Sequence, residues 1–169
     1  KHHDDVRLIY NGFDSEKFCF SPIPTEKFTI TYTGRLLENS LRNPTLFFES
    51  ITELCSDKKF KGNLLIQWYV DKASIEQIKG MTEQYGLTGQ TKISSTVSSC
   101  LMPEILNKSS IVLVISNKST DNGPHGIMTT KFFEALGCEK PTLCIPSDEE
   151  CLESTIVATS AGLSARDKH

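Results

Sequence analysis

Ile111-Val112-Leu113-Val114-Ile115 is an unbroken apolar run in which four of five residues are β-branched. A run of this length and branching predicts a strand buried on both faces of a parallel sheet. A long polar loop follows it. Thr129 to Leu136 then reads as a helix ended by Gly137, and Pro141-Thr142-Leu143-Cys144-Ile145 as another strand. Strand, loop, helix and strand together make the repeating unit of a parallel α/β sheet.

The same alternation extends outward from this unit. Phe28-Thr29-Ile30-Thr31-Tyr32-Thr33 is β-rich and stops at Gly34. Asn43 to Asp57 places Leu46, Phe47, Ser50, Ile51 and Leu54 on one helical face, with Pro44 suited to the first turn. Asn63 to Val70 has strand length, and Lys72 to Tyr85 has helical spacing with a stop at Gly86. Thr91 to Ser95 predicts a short strand and Ser99 to Asn107 a short helix with Pro103 in its first turn. Asp148 to Thr159 predicts a helix, and Leu163 begins a last strand. The order predicts a Rossmann-like three-layer sandwich with a parallel sheet. The predicted unit runs over residues 25–169. Residues 1–24 read as a linker with a leading strand, Val6 to Asp14, that ends in a turn. The polar start, Lys1 to Asp5, carries no leader pattern and reads as a beginning in mid-protein. The short last element gives the same impression of an excised piece.

Composition narrows the function. The chain has 169 residues, 38% hydrophobic and 23% charged, with a net charge of −3. That suits one globular unit with a sizeable core. No dense Lys/Arg run occurs, which argues against nucleic acid as a partner, because phosphate contacts need clustered positive charge. No apolar run approaches the ~20 residues of a membrane span. The six cysteines form no CxxC and match no zinc spacing. They read as reduced, small hydrophobic residues of a cytoplasmic protein, and no metal site is expected.

In an open parallel sheet, ligands bind outside the carboxyl ends of the strands, and three loops lie there. The first, Gly34 to Pro44, carries Gly34 for close backbone approach and Arg35 and Arg42 for phosphate oxygens. A Gly-Arg after a strand is, on its own, more often a plain turn. The second, Ser94 to Leu101, offers backbone for a flat base edge. The third, Ser116 to Glu134, is long and polar, with Gly123, Pro124 and Gly126 before the N-cap candidates Thr129 and Thr130. Free N–H groups at that helix start suit a diphosphate. Lys131 and Glu134 share one helix face, for a phosphate and for ribose hydroxyls, or as an exposed ion pair. His125, between the glycines, is a candidate to donate a proton or a hydrogen bond.

With these pieces in place, the chain resembles the C-terminal, donor-binding domain of retaining, group 1 family glycosyltransferases of the GT-B fold. The matching segments are YNGFD, FTITYTGRLLENSLRNP and GIMTTKFFEALGCEKPTLCIPSDE, in that order. The resemblance implies a nucleoside-diphosphate sugar, UDP- or GDP-linked, as donor substrate rather than a cofactor. It also implies an acceptor-binding N-terminal domain in the same parent chain, a role in glycan or polysaccharide synthesis, and peripheral association of the parent with a membrane. Gly34, Arg35 and Arg42 would meet the diphosphate, backbone near Val97 the base, and Glu134 the ribose. Thr129 and Thr130 would cap a helix aimed at the phosphates. Arg35, Arg42 and His125 are the candidate catalytic residues, and the isolated piece is expected to transfer little or no sugar. Two departures stand out. Gly126 occupies the position, eight before Glu134, where the family often has an acid, with Asp121 and His125 as candidate replacements. The first loop also lacks the family's lysine. The missing acid keeps open a non-catalytic nucleotide-binding regulatory domain. A flavodoxin-like signalling module is the third reading, but such receivers need acidic strand ends where this chain has Gly34-Arg35.

Overall fold

The computed structural model describes residue 7 and residues 9–36, 42–116 and 128–168. The elements are β1 (Phe28–Thr33), α1 (Thr45–Leu54), α2 (Lys58–Gly62), β2 (Leu64–Val70), α3 (Lys72–Gln84), β3 (Thr91–Ser95), α4 (Met102–Asn107), β4 (Ile111–Val114), α5 (Thr130–Gly137), β5 (Thr142–Cys144), α6 (Cys151–Thr159) and β6 (Gly162–Ser164). The strands form one sheet in the order β3-β2-β1-β4-β5-β6, and every neighbouring pair is parallel. The Rossmann-like architecture anticipated from the alternation is therefore present. The order reverses direction between β1 and β4, which makes their carboxyl ends the switch point where such sheets open a ligand crevice.

The two faces of the sheet divide the core. On one, Tyr32 and Trp68 pack beneath Phe47 and Phe48 of α1 and Ile78 of α3. Trp68 stacks on Phe48 at 5.7 Å, and Phe48 stacks on Tyr85 at 5.5 Å. On the other face, Val112 packs with Leu106 of α4 and Ala135 of α5, and Val114 with Phe132 of α5 and Leu152 of α6. Leu113 and Val112 belong to opposite faces and are both fully buried, as the two-sided reading of β4 required. Each fully buried large side chain contributes roughly 1.5–3 kcal/mol relative to exposure.

Several boundaries differ from those expected, each for a local reason. The helix expected from Asn43 begins at Thr45, because the Asn43 side chain accepts from the Thr45 N–H at 2.9 Å and Pro44 becomes the cap residue. It ends at Leu54 rather than Asp57, and Asp57 instead caps the unanticipated α2, accepting from the Lys59 N–H at 2.7 Å. Helix α5 does not stop before Gly137. Gly137 is its last residue, and Glu139, with φ of 51°, makes the left-handed turn. The Glu139 N–H reaches the Leu136 carbonyl and the Lys140 N–H the Ala135 carbonyl, both at 2.9 Å, which closes the helix as a Schellman turn. Gly86 ends α3 as expected, with φ of 65°. Helix α6 starts at Cys151 rather than Asp148, since Asp148 accepts from the N–H groups of Leu152 and Glu153 and so stands outside it.

The leading strand expected at Val6 to Asp14 is not formed over residues 9–14; Val6 and Leu8 lie outside the described residues. The segment turns at Asp14, whose carbonyl accepts from the Phe18 N–H at 2.8 Å, and continues over α4 and α5. Among the described residues, all six cysteines are free thiols, with Cys55, Cys138 and Cys144 buried. No helix among them is long and apolar enough to cross a membrane.

Candidate functional site

A pocket of about 210 Å³ opens at the switch point, lined among the described residues by Thr33, Gly34, Tyr69, Thr96, Val97, Met102, Thr130, Lys131 and Glu134. Five expected site residues, Gly34, Val97, Thr130, Lys131 and Glu134, therefore meet in one place although they come from three separate loops. Thr33 and Gly34 arrive at the end of β1, Tyr69 near the end of β2, Thr96 and Val97 just after β3, and the last three on the first turns of α5.

Lys131 dominates the electrostatics. Its side chain runs back from α5 beneath the end of β1, with Nζ 6.0 Å from the centre of the Tyr32 ring, near the outer limit of a cation–π contact. Burial pulls the ammonium down to about 8, the neighbouring Arg42 charge adds to this, and Glu134 opposes it. Burial also raises the Glu134 carboxyl, and Lys131 partly offsets that rise. The pair is thus partly desolvated, unlike an exposed helical ion pair, and a cation held this way gains most from an incoming anion.

Gly34 acts differently from expectation. Its φ is +104°, a conformation that favours glycine. Its N–H donates to the Tyr69 carbonyl at 2.7 Å, extending the β1–β2 ladder, so that donor is already used. Its part in the pocket is to leave space for Lys131.

The arginines stand beside the pocket rather than in its wall. Arg35 is exposed, and its Nε pairs with Asp71, the cap of α3, at 3.2 Å. Arg42 donates to the Arg35 carbonyl at 2.9 Å, and the Tyr32 hydroxyl donates to the same oxygen at 3.0 Å. The Leu36 N–H donates to the Ser74 hydroxyl at 3.1 Å. These contacts pin the Gly34–Leu36 corner onto α3, with the half-buried Asp71 carboxylate pairing the exposed Arg35. Thr129 is the N-cap residue of α5, its side chain makes no capping bond, and its carbonyl accepts from the Phe132 N–H at 3.2 Å. His125, Asp121, Gly123, Pro124 and Gly126 lie outside the described residues. Among the described residues, no group of three or more His, Cys, Asp and Glu is arranged to hold a metal ion.

No family model matches this sequence, and no curated protein matches it. Solved structures do. The C-terminal domain of the glycosyl transferase group 1 family protein LpcC from Francisella tularensis superposes with a TM-score of 0.64 at 14% identity, over 93% of this chain and 82% of that one. A glycosyltransferase from Rickettsia africae gives 0.72 at 13% identity, over 98% of this chain and 44% of that one. This chain has the fold of a GT-B glycosyltransferase domain. Anabaena HepE, solved in complex with UDP and glucose, gives 0.63 at 15% identity, over 96% of this chain and 44% of that one. The GT-B domain described here thus spans less than half the length of the Rickettsia and Anabaena chains.

Sequence reasoning missed Thr33, Tyr69, Thr96 and Met102 as pocket residues of this GT-B domain. Thr33 and Tyr69 were discoverable, since each ends or nearly ends a strand beside the switch point. Met102 carried no signal of its own: it enters the pocket because the turn after Val97 doubles back into α4.

Proposed function

We propose that this domain binds a nucleoside-diphosphate sugar in the switch-point pocket. In this reading it is the donor half of a retaining glycosyltransferase whose acceptor half belongs to the same parent chain. The observation that carries the reading is the convergence of Lys131, Glu134, the start of α5 and the Thr96–Val97 backbone on one pocket. Each offers what one part of such a ligand requires. Lys131 and the first N–H groups of α5 hold the diphosphate, a desolvated cation and a helix start acting together. Glu134 accepts from the ribose hydroxyls one helical turn further on. The Thr96–Val97 backbone borders the base, and Met102 gives it an apolar floor.

Transfer releases a nucleoside diphosphate, so negative charge grows on the leaving phosphate as the glycosidic bond breaks. Fixed positive charge at that point lowers the barrier. Lys131 supplies it from inside the pocket, with Arg35 and Arg42 able to swing from the neighbouring corner. The acceptor hydroxyl would come from the other half of the parent, so the isolated domain binds donor without efficient transfer. Anabaena HepE, solved with UDP and glucose, has a chain more than twice as long as the part matched here, which agrees with this division.

A thermal-shift screen of nucleoside diphosphates and nucleotide sugars tests the reading, because a ligand that binds only the folded state raises its stability. Selective stabilisation by one base series is expected. No shift with any of them would sink the proposal. Binding without turnover by the full-length parent, across donors and acceptors, would instead favour a regulatory domain.

A further inference from the structure

We infer that residues 13–23 form a strap clamped onto the far end of α5, and that Asn107 and Gly137 are positioning residues through which this clamp supports the pocket. The inference rests on the nucleotide-binding reading of the Lys131–Glu134 pocket. Asn107, at the end of α4, is 4% exposed. Its side-chain oxygen accepts from the Ser21 N–H at 2.9 Å, its side-chain nitrogen donates to the Cys19 carbonyl at 3.0 Å, and its carbonyl accepts from the Ile23 N–H at 3.4 Å. The same nitrogen donates to the Pro103 carbonyl at 3.0 Å and lies 3.8 Å from the Cys138 sulfur. One buried amide thus ties the strap to α4 and to the end of α5.

Gly137 supplies the second half of the clamp. A β-carbon there would stand 2.6 Å and 2.8 Å from Phe13 ring atoms and 2.9 Å from the Phe18 Cβ. Phe18 is buried against Cys138, Leu106 and Ala135. The Phe13 ring can swing away, but the Phe18 Cβ moves only with the strap backbone. Alanine is otherwise the better helix former, so glycine at this helix end is explained by the strap rather than by the helix. Helix α5 carries Thr130, Lys131 and Glu134 at one end and Gly137 at the other. A rigid element with a ligand at one end and a clamp at the other couples the two reciprocally.

The test follows trypsin cleavage after Lys17, which is exposed and directly precedes buried Phe18, so the cut requires the strap to lift. Mass spectrometry reads that cut under conditions where it precedes cleavage after Lys92 in β3, and a thermal shift reads nucleoside diphosphate binding in parallel. Asn107→Ala is expected to speed the Lys17 cut by about tenfold or more, the scale of losing buried hydrogen bonds, Gly137→Ala to speed it by crowding Phe18, and both to weaken nucleotide binding. Gly137→Ala keeps the helix favoured and so guards against simple misfolding. Nucleotide is expected to slow the Lys17 cut in the unmodified chain. If nucleotide binds while the Lys17 cut keeps its rate, or if Gly137→Ala frees the strap without changing affinity, the coupling is overturned. If no nucleotide binds, the pocket reading itself fails, and the coupling with it.

Discussion

The end of the Lys131 side chain occupies the place where a β-carbon on Gly34 would stand. An ideal Cβ at Gly34 would lie 2.7 Å from the Lys131 Cε and 2.9 Å from its Nζ. Gly34→Ala therefore carries two separable effects. The backbone at φ +104° disfavours any β-carbon, at a cost of roughly 1–3 kcal/mol. The lysine terminus is flexible and moves aside cheaply, but it leaves its position in the pocket. Urea unfolding is expected to report the loss of stability, and calorimetric titration a weaker affinity for nucleoside diphosphate. Unchanged affinity in the folded variant would separate Lys131 from the binding site.

The buried lysine sets a pH dependence. Its ammonium titrates at about 8 in the folded chain, against ~10.4 for an unfolded lysine. Charging it therefore costs folding stability. That cost is fully present below about pH 8 and fades as pH rises toward ~10.4, where the unfolded chain binds more protons than the folded one. Lys131→Met is expected to be more stable than the unmodified chain near neutral pH, with the gain shrinking across that window. Denaturant titrations at several pH values check this, and a gain that grows with pH would contradict it.

A bound diphosphate stabilises the charged lysine and so raises its pKa. Binding measured slightly above pH 8 is expected to take up protons, and affinity to fall as pH rises further. Titration calorimetry in two buffers of different ionisation enthalpy reads the uptake directly. Equal apparent enthalpies in both buffers would mean that Lys131 does not meet the anion.

Glu134 separates ribose from phosphate. Glu134→Gln is expected to weaken a nucleoside diphosphate by about ten- to a hundredfold, the range for hydrogen bonds to a charged group. Pyrophosphate affinity is expected to change little at about pH 6.5, where Lys131 stays charged in either form. Equal losses for both ligands would assign Glu134 to the charge balance of Lys131 instead of to the ribose.

Much of this was legible in the sequence, and the reasons are specific. The Ile111–Ile115 run declared a strand buried on both sides, and Leu113 and Val112 indeed face opposite layers. The alternation around it was enough for the parallel sheet, and the sheet rule placed Gly34, Val97, Thr130, Lys131 and Glu134 at one rim. What stayed hidden depended on contacts distant in sequence or on substitutes for the usual signals. Glu139 took the left-handed position normally signalled by glycine; Gly137 does end α5, but its close approach to Phe13 and Phe18 had no sequence signal. Asp57, read as the end of one helix, caps a second one over Lys58–Gly62, a stretch that read as no element. The Asn107 bond to Cys19 spans 88 residues, and no local pattern announces it. Nothing near Arg35 in sequence revealed its pairing with Asp71.

The central claim is that Lys131 and Glu134 build a nucleoside-diphosphate site at the switch point. Calorimetric titration of the base series selected by thermal shift tests it most directly, using the unmodified chain, Lys131→Met and Glu134→Gln. The account expects one site per chain, weakened about tenfold or more by either substitution. Unchanged affinity in both variants, with their folding intact, would contradict it.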